Sequence, residues 1–134
     1  MRLLLDTHVW IWWLTPSSPL RRAERVSLDA AADAGELCLS AVSMWEAQLL
    51  YAKRRLDLPI PFVEWLERAT HSQLAAILPL DRDVVTALDA LPRSFHGDPA
   101  DRLIVSTARA HALPLATHDR AIRRARVVQL WKPS

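Results

Sequence analysis

Four acidic residues, spread along the chain, have the types and positions expected of ligands for a divalent cation. Asp6 and Asp119 each come directly after a short apolar run, Glu46 lies inside an apolar helical stretch, and Asp101 opens another helix. Four carboxylates cannot share a small volume unless their pKa values rise or cations bind. Oxygen ligands suit Mg²⁺ or Mn²⁺. Such ions can orient a water and stabilise an in-line phosphoryl displacement, so the predicted chemistry is metal-assisted attack on a phosphate ester.

Each acid also has a purely structural explanation. Asp6 and Asp119 can cap the helices that begin after them, and Asp101 can interact with the helix dipole from a first turn. Asp98 is better explained as an N-cap than as a ligand. Glu46 lies well inside its helix, and a buried unpaired charge is costly. The order and spacing of the four acids together favour a site over four separate structural roles.

Short apolar runs alternate with helical segments, and this alternation predicts an α/β fold around a mostly parallel sheet. The predicted strands cover residues 2–5, 37–39, 74–78, 113–117 and 126–130. The predicted helices cover residues 7–14, 19–34, 41–55, 61–72, 81–91, 99–112 and 119–124. In an open parallel sheet, ligands bind outside the carboxyl ends of the strands. If the strands are neighbours, the four acids therefore converge on one spot.

The bulk composition predicts a single domain over residues 1–134, because this length suits one hydrophobic core. No apolar run is long enough to cross a bilayer, and the first residues lack the features of a signal peptide. Cys38, the one cysteine, is better explained as a small buried hydrophobe than as a reactive thiol. These features predict a cytoplasmic protein with no membrane association.

Basic residues form three clusters, although the net charge is only +2. The clusters are Arg21-Arg22, Lys53-Arg54-Arg55, and the group of Arg120, Arg123, Arg124, Arg126 and Lys132. Basic patches beside acids suit a polyanion held near metal ions. Each cluster alone is explained equally well as a solvated helix face.

The segment 9–14 is apolar nearly all round and holds three tryptophans. Such a helix is either buried or covered by a partner, and stacking on nucleic-acid bases is the less favoured alternative. With part of the helix over 41–55, it is predicted to form a hydrophobic groove for a partner segment. His96 and His118 are interpreted as polar residues at a cleft edge, with contact to a phosphate as the alternative.

Four motifs resemble those of the PIN-domain toxins of the VapC type. They are Leu-Leu-Leu-Asp-Thr-His-Val-Trp at 3–10, Ser-x-x-Ser-x-Trp-Glu at 40–46, Asp-Pro-Ala-Asp-Arg-Leu-Ile-Val-Ser-Thr-Ala at 98–108 and Thr-His-Asp at 117–119. The resemblance covers nearly the whole chain, with the motifs in the family's order. It implies a single PIN domain, a PIN-like α/β/α sandwich around a mostly parallel sheet. It also implies Mg²⁺- or Mn²⁺-dependent endoribonuclease activity, a cognate VapB-like antitoxin and a homodimer.

Residue by residue, the resemblance assigns the family's acidic quartet to Asp6, Glu46, Asp101 and Asp119. It assigns the polar positions beside the acids to Thr7 and Thr117. On this hypothesis three of the acids, Asp6, Glu46 and Asp101, hold the principal ion, and Asp119 completes that site or helps a second. Hydrolysis of RNA then uses a metal-activated water, and Asp98 is an additional acid beside the quartet.

Two other functions stay open at this point. The chain could be a catalytically inactive module that binds RNA or a partner, against which the intact quartet argues. It could also be a metal-dependent phosphatase or phosphotransferase. Enzymes of that class with an aspartyl nucleophile usually need a second Asp two residues on, and His8 occupies that position here.

Overall fold

The computed structural model describes residues 1–16, 18–95 and 97–134. The strands are β1 (Leu3–Leu5), β2 (Leu37–Ser40), β3 (Ala76–Leu78) and β4 (Leu115–Ala116). The helices are α1 (Thr7–Trp13), α2 (Arg22–Asp33), α3 (Ala41–Ala52), α4 (Phe62–Ala69), α5 (Arg82–Asp89), α6 (Pro99–Ala110) and α7 (Arg120–Ala125). The alternation of strands and helices is therefore as predicted.

The four strands form one parallel sheet in the order β3-β2-β1-β4. Leu5 at the end of β1 pairs with Leu39 of β2 on one side and with Ala116 of β4 on the other. The carboxyl ends of these three strands therefore lie side by side. The strands that precede Asp6, Glu46 and Asp119 are therefore neighbours in the sheet.

Helices pack on both faces of the sheet, because successive strand residues point to opposite sides. Leu3 and Leu5 pack into one core with α1, α2 and α4, whereas Leu4 packs into a second core with α6 and α7. The result is the predicted α/β/α sandwich. Cys38 of β2 is fully buried in the second core, which confirms its interpretation as a small hydrophobe.

Helix α1 is largely a core helix. Val9, Trp10 and Ile11 are buried, and the Trp10 indole N–H donates to the carbonyl of Ala69 at 3.0 Å. This hydrogen bond satisfies the one polar atom that burial of a tryptophan leaves behind. Trp12 and Trp13 stay partly exposed beside the core. Most of the apolar surface of α1 is thus covered by the chain itself.

The predicted final strand over 126–130 is wrong. Only Leu130 pairs, in a single parallel bridge with Leu115. Arg126 has a left-handed backbone with φ 55°, which interrupts any extended run at its start. Strand β4 is also only two residues long, so it offers a new edge strand few backbone groups to pair with.

The remaining differences from the predicted elements are changes at their ends: most elements are shorter than predicted, whereas β2 and α7 each end one residue later. The predicted strand over 74–78 begins at 76, because Leu74 closes a turn on the carbonyl of His71 at 2.8 Å. Helix α3 stops at 52 rather than 55, where Arg54 takes a φ of 58°. Gly35 follows α2 with a φ of 70°, the conformation expected of a C-terminal glycine. Among the described residues no helix is long and apolar enough to cross a membrane.

Candidate active site

Five acidic side chains line one cavity of about 330 Å³ at the carboxyl edge of the sheet. They are Asp6, Glu46, Asp98, Asp101 and Asp119. Asp6 follows β1, Glu46 lies on α3, two acids belong to the start of α6, and Asp119 precedes α7. The fold therefore brings together all four acids predicted from the sequence and adds Asp98 to them. This cavity is called the acidic cavity below.

Asp6 is the most buried acid of the acidic cavity, with 7% of its surface exposed. Its carboxylate accepts the Val9 backbone N–H at 2.8 Å and so caps α1. Burial raises the pKa of Asp6 above its ordinary value, and the charge of Glu46 adds to the increase. Hydrogen bonds from Thr117 and Val9 oppose this rise only in part. Asp6 thus caps α1, and its burial disfavours the charged form of the carboxyl group.

Asp101 lies in the first turn of α6, where the side chain of Asp98 accepts its backbone N–H at 2.8 Å. Burial raises the pKa of Asp101 to about 7, and the charges of the other four acids contribute to the increase. Near neutral pH this carboxyl group therefore holds its proton about half of the time. A divalent cation placed among the acids would lower the pKa of Asp101 again, because an opposite charge favours the ionised carboxylate.

Asp119 combines the two roles that the sequence left as alternatives. Its carboxylate accepts the Ile122 backbone N–H at 2.9 Å and caps α7, while the residue lines the acidic cavity. Its own N–H donates to the hydroxyl of Thr117 at 3.0 Å. On the other side of the cavity, the Thr7 hydroxyl donates to the Ser43 hydroxyl at 2.9 Å and ties α1 to α3. Both threonines are buried and orient the elements that carry the acids.

The donor chemistry of the acidic cavity fits a hard divalent cation. All five acids offer oxygen ligands, and their mutual repulsion is visible in the raised pKa of Asp101. In the arrangement described, no three Asp, Glu, His or Cys side chains among the described residues are close enough together to hold a metal ion. A cation would therefore have to draw the carboxylates inward from positions that Asp6 and Asp119 hold against helix ends.

Comparison with known proteins extends this picture. A family model for the PIN domain matches residues 3–128. Ribonuclease VapC22 of Mycobacterium tuberculosis is 39% identical over 133 residues, which cover 96% of this chain and 98% of that protein. This chain belongs to the PIN-domain family, in its VapC group.

Two crystal structures have the same fold. FitAcB from Neisseria gonorrhoeae is 28% identical with a TM-score of 0.71 and coverage of 98% of this chain and 97% of that chain. VapBC2 from Rickettsia felis, bound to a DNA fragment from its promoter, is 16% identical with a TM-score of 0.74 and full coverage of both chains.

One wall of the acidic cavity in this PIN domain is aromatic. The Trp12 indole meets the His118 ring edge-on at 5.3 Å between centroids, and the His8 ring lies 5.7 Å away on its other side. His118 Nε2 is 2.6 Å from a carboxylate oxygen of Glu24, which reaches it from α2. His118 is therefore held in place at the cavity edge, as predicted, while His96 lies outside the described residues.

Glu24 is a residue that sequence reasoning missed. It is buried, accepts from the N–H and side chain of Arg21 at 3.0 and 3.1 Å, and contacts His118 from 94 positions away. The position of a glutamate three residues after a helix N-cap is typical of a capping box. The N-cap here is Arg21, which has no acceptor atom, so the usual sequence signature of a capping box is absent, and the contact with His118 has no local signal either.

Two basic grooves adjoin the acidic cavity of the PIN domain. The His118 groove, of about 530 Å³, shares His118 with the acidic cavity and is lined by Arg21, Arg120, Arg123 and Lys132. The Trp45 groove, of about 290 Å³, shares Glu46 and Asp98 with it and is lined by Trp45, Leu49, Lys53, Arg55 and Pro99. Cations therefore lie on both sides of the acids.

A larger cavity of about 940 Å³ lies between α2 and the chain ends. Its one acid is Glu36, which pairs with the N-terminal ammonium group of Met1. With a single carboxylate that already has a counter-charge, this cavity has no donor set for a cation.

Proposed function

We propose that this protein is a metal-dependent endoribonuclease, the toxin component of a type II toxin–antitoxin pair. The observation that carries the proposal is the acidic cavity, where burial and four other acids raise the pKa of Asp101 to about 7. Such an arrangement repels anions unless a cation is present. The similarity to Ribonuclease VapC22 supports RNA as the substrate. In this proposal the whole chain is one PIN domain and acts in the cytoplasm.

The side chains assigned to the cation are those predicted from the sequence. Asp6, Glu46 and Asp101 hold the principal Mg²⁺ or Mn²⁺, and Asp119 completes that site or helps a second. A bound ion would lower the pKa of an attacking water and stabilise charge at the phosphate. Asp6 and Asp119 are held by helix N-termini, so Glu46 and Asp101 make the larger side-chain adjustment.

The chain's own cations have a separate task. Arg120 and Arg123 on one side of the acidic cavity, and Lys53 and Arg55 on the other, attract the phosphates that flank the scissile bond. Because the acids repel an RNA chain that carries no cation with it, these flanking contacts supply the attraction that holds the substrate over the cavity.

A protein partner follows from membership of the VapC group. We expect a cognate VapB-like antitoxin and a homodimer, with RNA as substrate and no membrane partner. Within the groove predicted between segment 9–14 and the helix over 41–55, Trp12, Trp13 and Leu14 pack against the core while partly exposed, and Tyr51 is exposed on α3. Trp12 also lines the acidic cavity, and Tyr51 packs beside Phe62 of α4. The groove for an antitoxin helix is therefore a proposal that rests on the partly exposed apolar side chains of α1.

The test is cleavage of total RNA by the purified chain with Mn²⁺, with Mg²⁺ and with EDTA. Cleavage is expected only with metal. Asp101→Asn and Asp6→Asn should each lower it by about 100-fold or more, as loss of one electrostatic group does in an active site. Asparagine also caps helices, so Asp6→Asn should fold normally. Asp83→Asn, an exposed first-turn acid of α5, is the control and should cleave like the wild type.

Equal cleavage in every lane, including EDTA, would mean a contaminating nuclease and would remove the support for the proposal. The second candidate, an inactive RNA- or partner-binding module, is favoured by the separation of the carboxylates in the arrangement described. Mn²⁺ calorimetry distinguishes the two when no cleavage is seen. Heat of binding that Asp101→Asn abolishes supports a nuclease with a narrow substrate, whereas no binding supports the module.

A further inference from the structure

Trp45 is the one exposed tryptophan among the residues that the structure describes. It lies on α3 directly before Glu46 and has 51% of its surface exposed. The other tryptophans are buried or half-buried. An exposed indole presents a flat apolar face that water solvates poorly. Because Trp45 directly precedes Glu46, a substrate bound at the proposed site would pass close to this indole.

The Trp45 groove joins this indole to two cations. Trp45, Leu49 and Lys53 recur at intervals of four and therefore follow one side of α3. Arg55 lies just beyond the helix, and Pro99 and Ala100 of α6 form the facing wall. No ion pair among the described residues involves Lys53 or Arg55. Both cations are exposed and line the groove together with the indole.

The groove is continuous with the acidic cavity, because Glu46 and Asp98 line both. A chain that lies over the acids therefore passes directly into the Trp45 groove. An aromatic face with adjacent cations is the combination that binds single-stranded nucleic acid, the ring stacking on a base and the cations contacting phosphates. Bases in a duplex are already stacked on each other and are not available to the indole.

We infer that the Trp45 groove binds an unpaired nucleotide of the RNA next to the scissile phosphate, with the base on Trp45 and the backbone at Lys53 and Arg55. This inference rests on the proposed function and assigns it substrate-binding residues outside the acidic cavity. Trp45 is a binding residue in this scheme and contributes equally before and during the reaction. Its loss should therefore raise KM and leave kcat unchanged.

The test measures binding separately from cleavage. A short fluorescent oligoribonucleotide of mixed sequence, alone or annealed to its complement, is titrated with Asp101→Asn protein in EDTA, where no cleavage is expected, and anisotropy is recorded. Adding Trp45→Ala should weaken binding of the single strand about 10-fold, the order expected for one lost stacked base. Trp45→Phe should restore most of it. Arg55→Gln should weaken binding a few-fold and lower the salt dependence.

Arg54→Gln is the matched control for charge. Arg54 is equally exposed and lies between the two groove cations, but it does not line the groove. It should change binding less than Arg55→Gln does. Equal effects of the two substitutions, or an equal loss of duplex and single-strand binding in Trp45→Ala, would overturn the inference.

A protein occupant is the remaining outcome that would overturn it. Trp45→Ala would then leave RNA binding intact and would instead release a co-expressed antitoxin. Failure of the proposed function is distinguishable from failure of this inference. A chain that cuts no RNA and binds no Mn²⁺, yet binds single strands through Trp45, refutes the nuclease and keeps the groove.

Discussion

Two carboxylates near the aromatic wall, Glu24 and Asp101, have opposite environments. Burial by itself raises the pKa of Glu24, but hydrogen bonds from His118 and Arg21 outweigh it and leave the pKa below its ordinary value. Burial and the charges of four neighbouring acids raise the pKa of Asp101 to about 7. Glu24 therefore finds its counter-charges within the fold. No ion pair among the described residues involves Asp101, and this is the feature that distinguishes a site for an external cation from a structural ion pair.

The largest effect expected from this contrast is on stability, and it has opposite signs at the two positions. Glu24→Gln should lower the free energy of unfolding by roughly 1–3 kcal/mol, because a charged hydrogen-bond acceptor of His118 and Arg21 is lost. Asp101→Asn should leave the metal-free protein as stable or more stable by about 1 kcal/mol, since repulsion is removed. Urea unfolding in EDTA at slightly alkaline pH measures both.

Asp83→Asn is the control for this pair of substitutions, because Asp83 is an exposed first-turn acid of α5 that does not line the acidic cavity. Its effect should be a few tenths of a kcal/mol. A loss in Asp101→Asn as large as that in Glu24→Gln would show that Asp101 is a structural residue, and the contrast would fail.

The pH dependence of stability should separate the same two groups. The folded-state pKa of Asp101, about 7, is above its ordinary value of 3.8. Its contribution to stability is thus complete below the ordinary value and is lost as the pH rises toward about 7. Glu24 has a lowered pKa, so its contribution is present above its ordinary value of 4.5 and is lost as the pH falls below it.

Metal-free protein should therefore lose about 1 kcal/mol between weakly acidic and weakly alkaline pH, a figure reduced for the partial exposure of Asp101. Mn²⁺ should reverse the loss at the alkaline end, because it binds the ionised carboxylates. Thermal unfolding across this range, with and without Mn²⁺, measures the effect. Asp101→Asn should flatten the metal-free curve relative to the wild type, and an unchanged curve would contradict the assignment.

The sequence was informative wherever a local signal coincided with a functional position. Asp6, Asp98 and Asp119 all accept backbone N–H groups at helix starts, as their positions predicted. Capping and participation in the cavity are not alternatives here, because these residues do both. The reason is geometric, because in a parallel sheet the helix N-termini and the strand carboxyl ends share one edge.

Features that depend on distant parts of the chain could not be predicted. The Glu24–His118 contact joins residues 94 apart, and nothing near either residue indicates it. The exposure of Trp45 depends on how α3 packs, whereas composition alone directed attention to the tryptophans of α1. The failed strand over 126–130 depends on the length of β4, which was predicted as five residues and has two.

The smallest expected effect concerns Asp98, the acid that the quartet does not include. It is exposed and caps α6, and asparagine caps as well as aspartate does. Asp98→Asn should therefore change the free energy of unfolding by only a few tenths of a kcal/mol, whereas Asp98→Ala should lose about 1 kcal/mol with the cap. Because the charge of Asp98 helps to raise the pKa of Asp101, cleavage by Asp98→Asn should reach its maximum at a slightly lower pH, with a maximal rate within about threefold of the wild type. A pH profile of RNA cleavage measures the shift. A loss as large as that of Asp101→Asn would instead make Asp98 a fifth ligand, and the contrast between capping acids and cation-binding acids would have to be redrawn around α6.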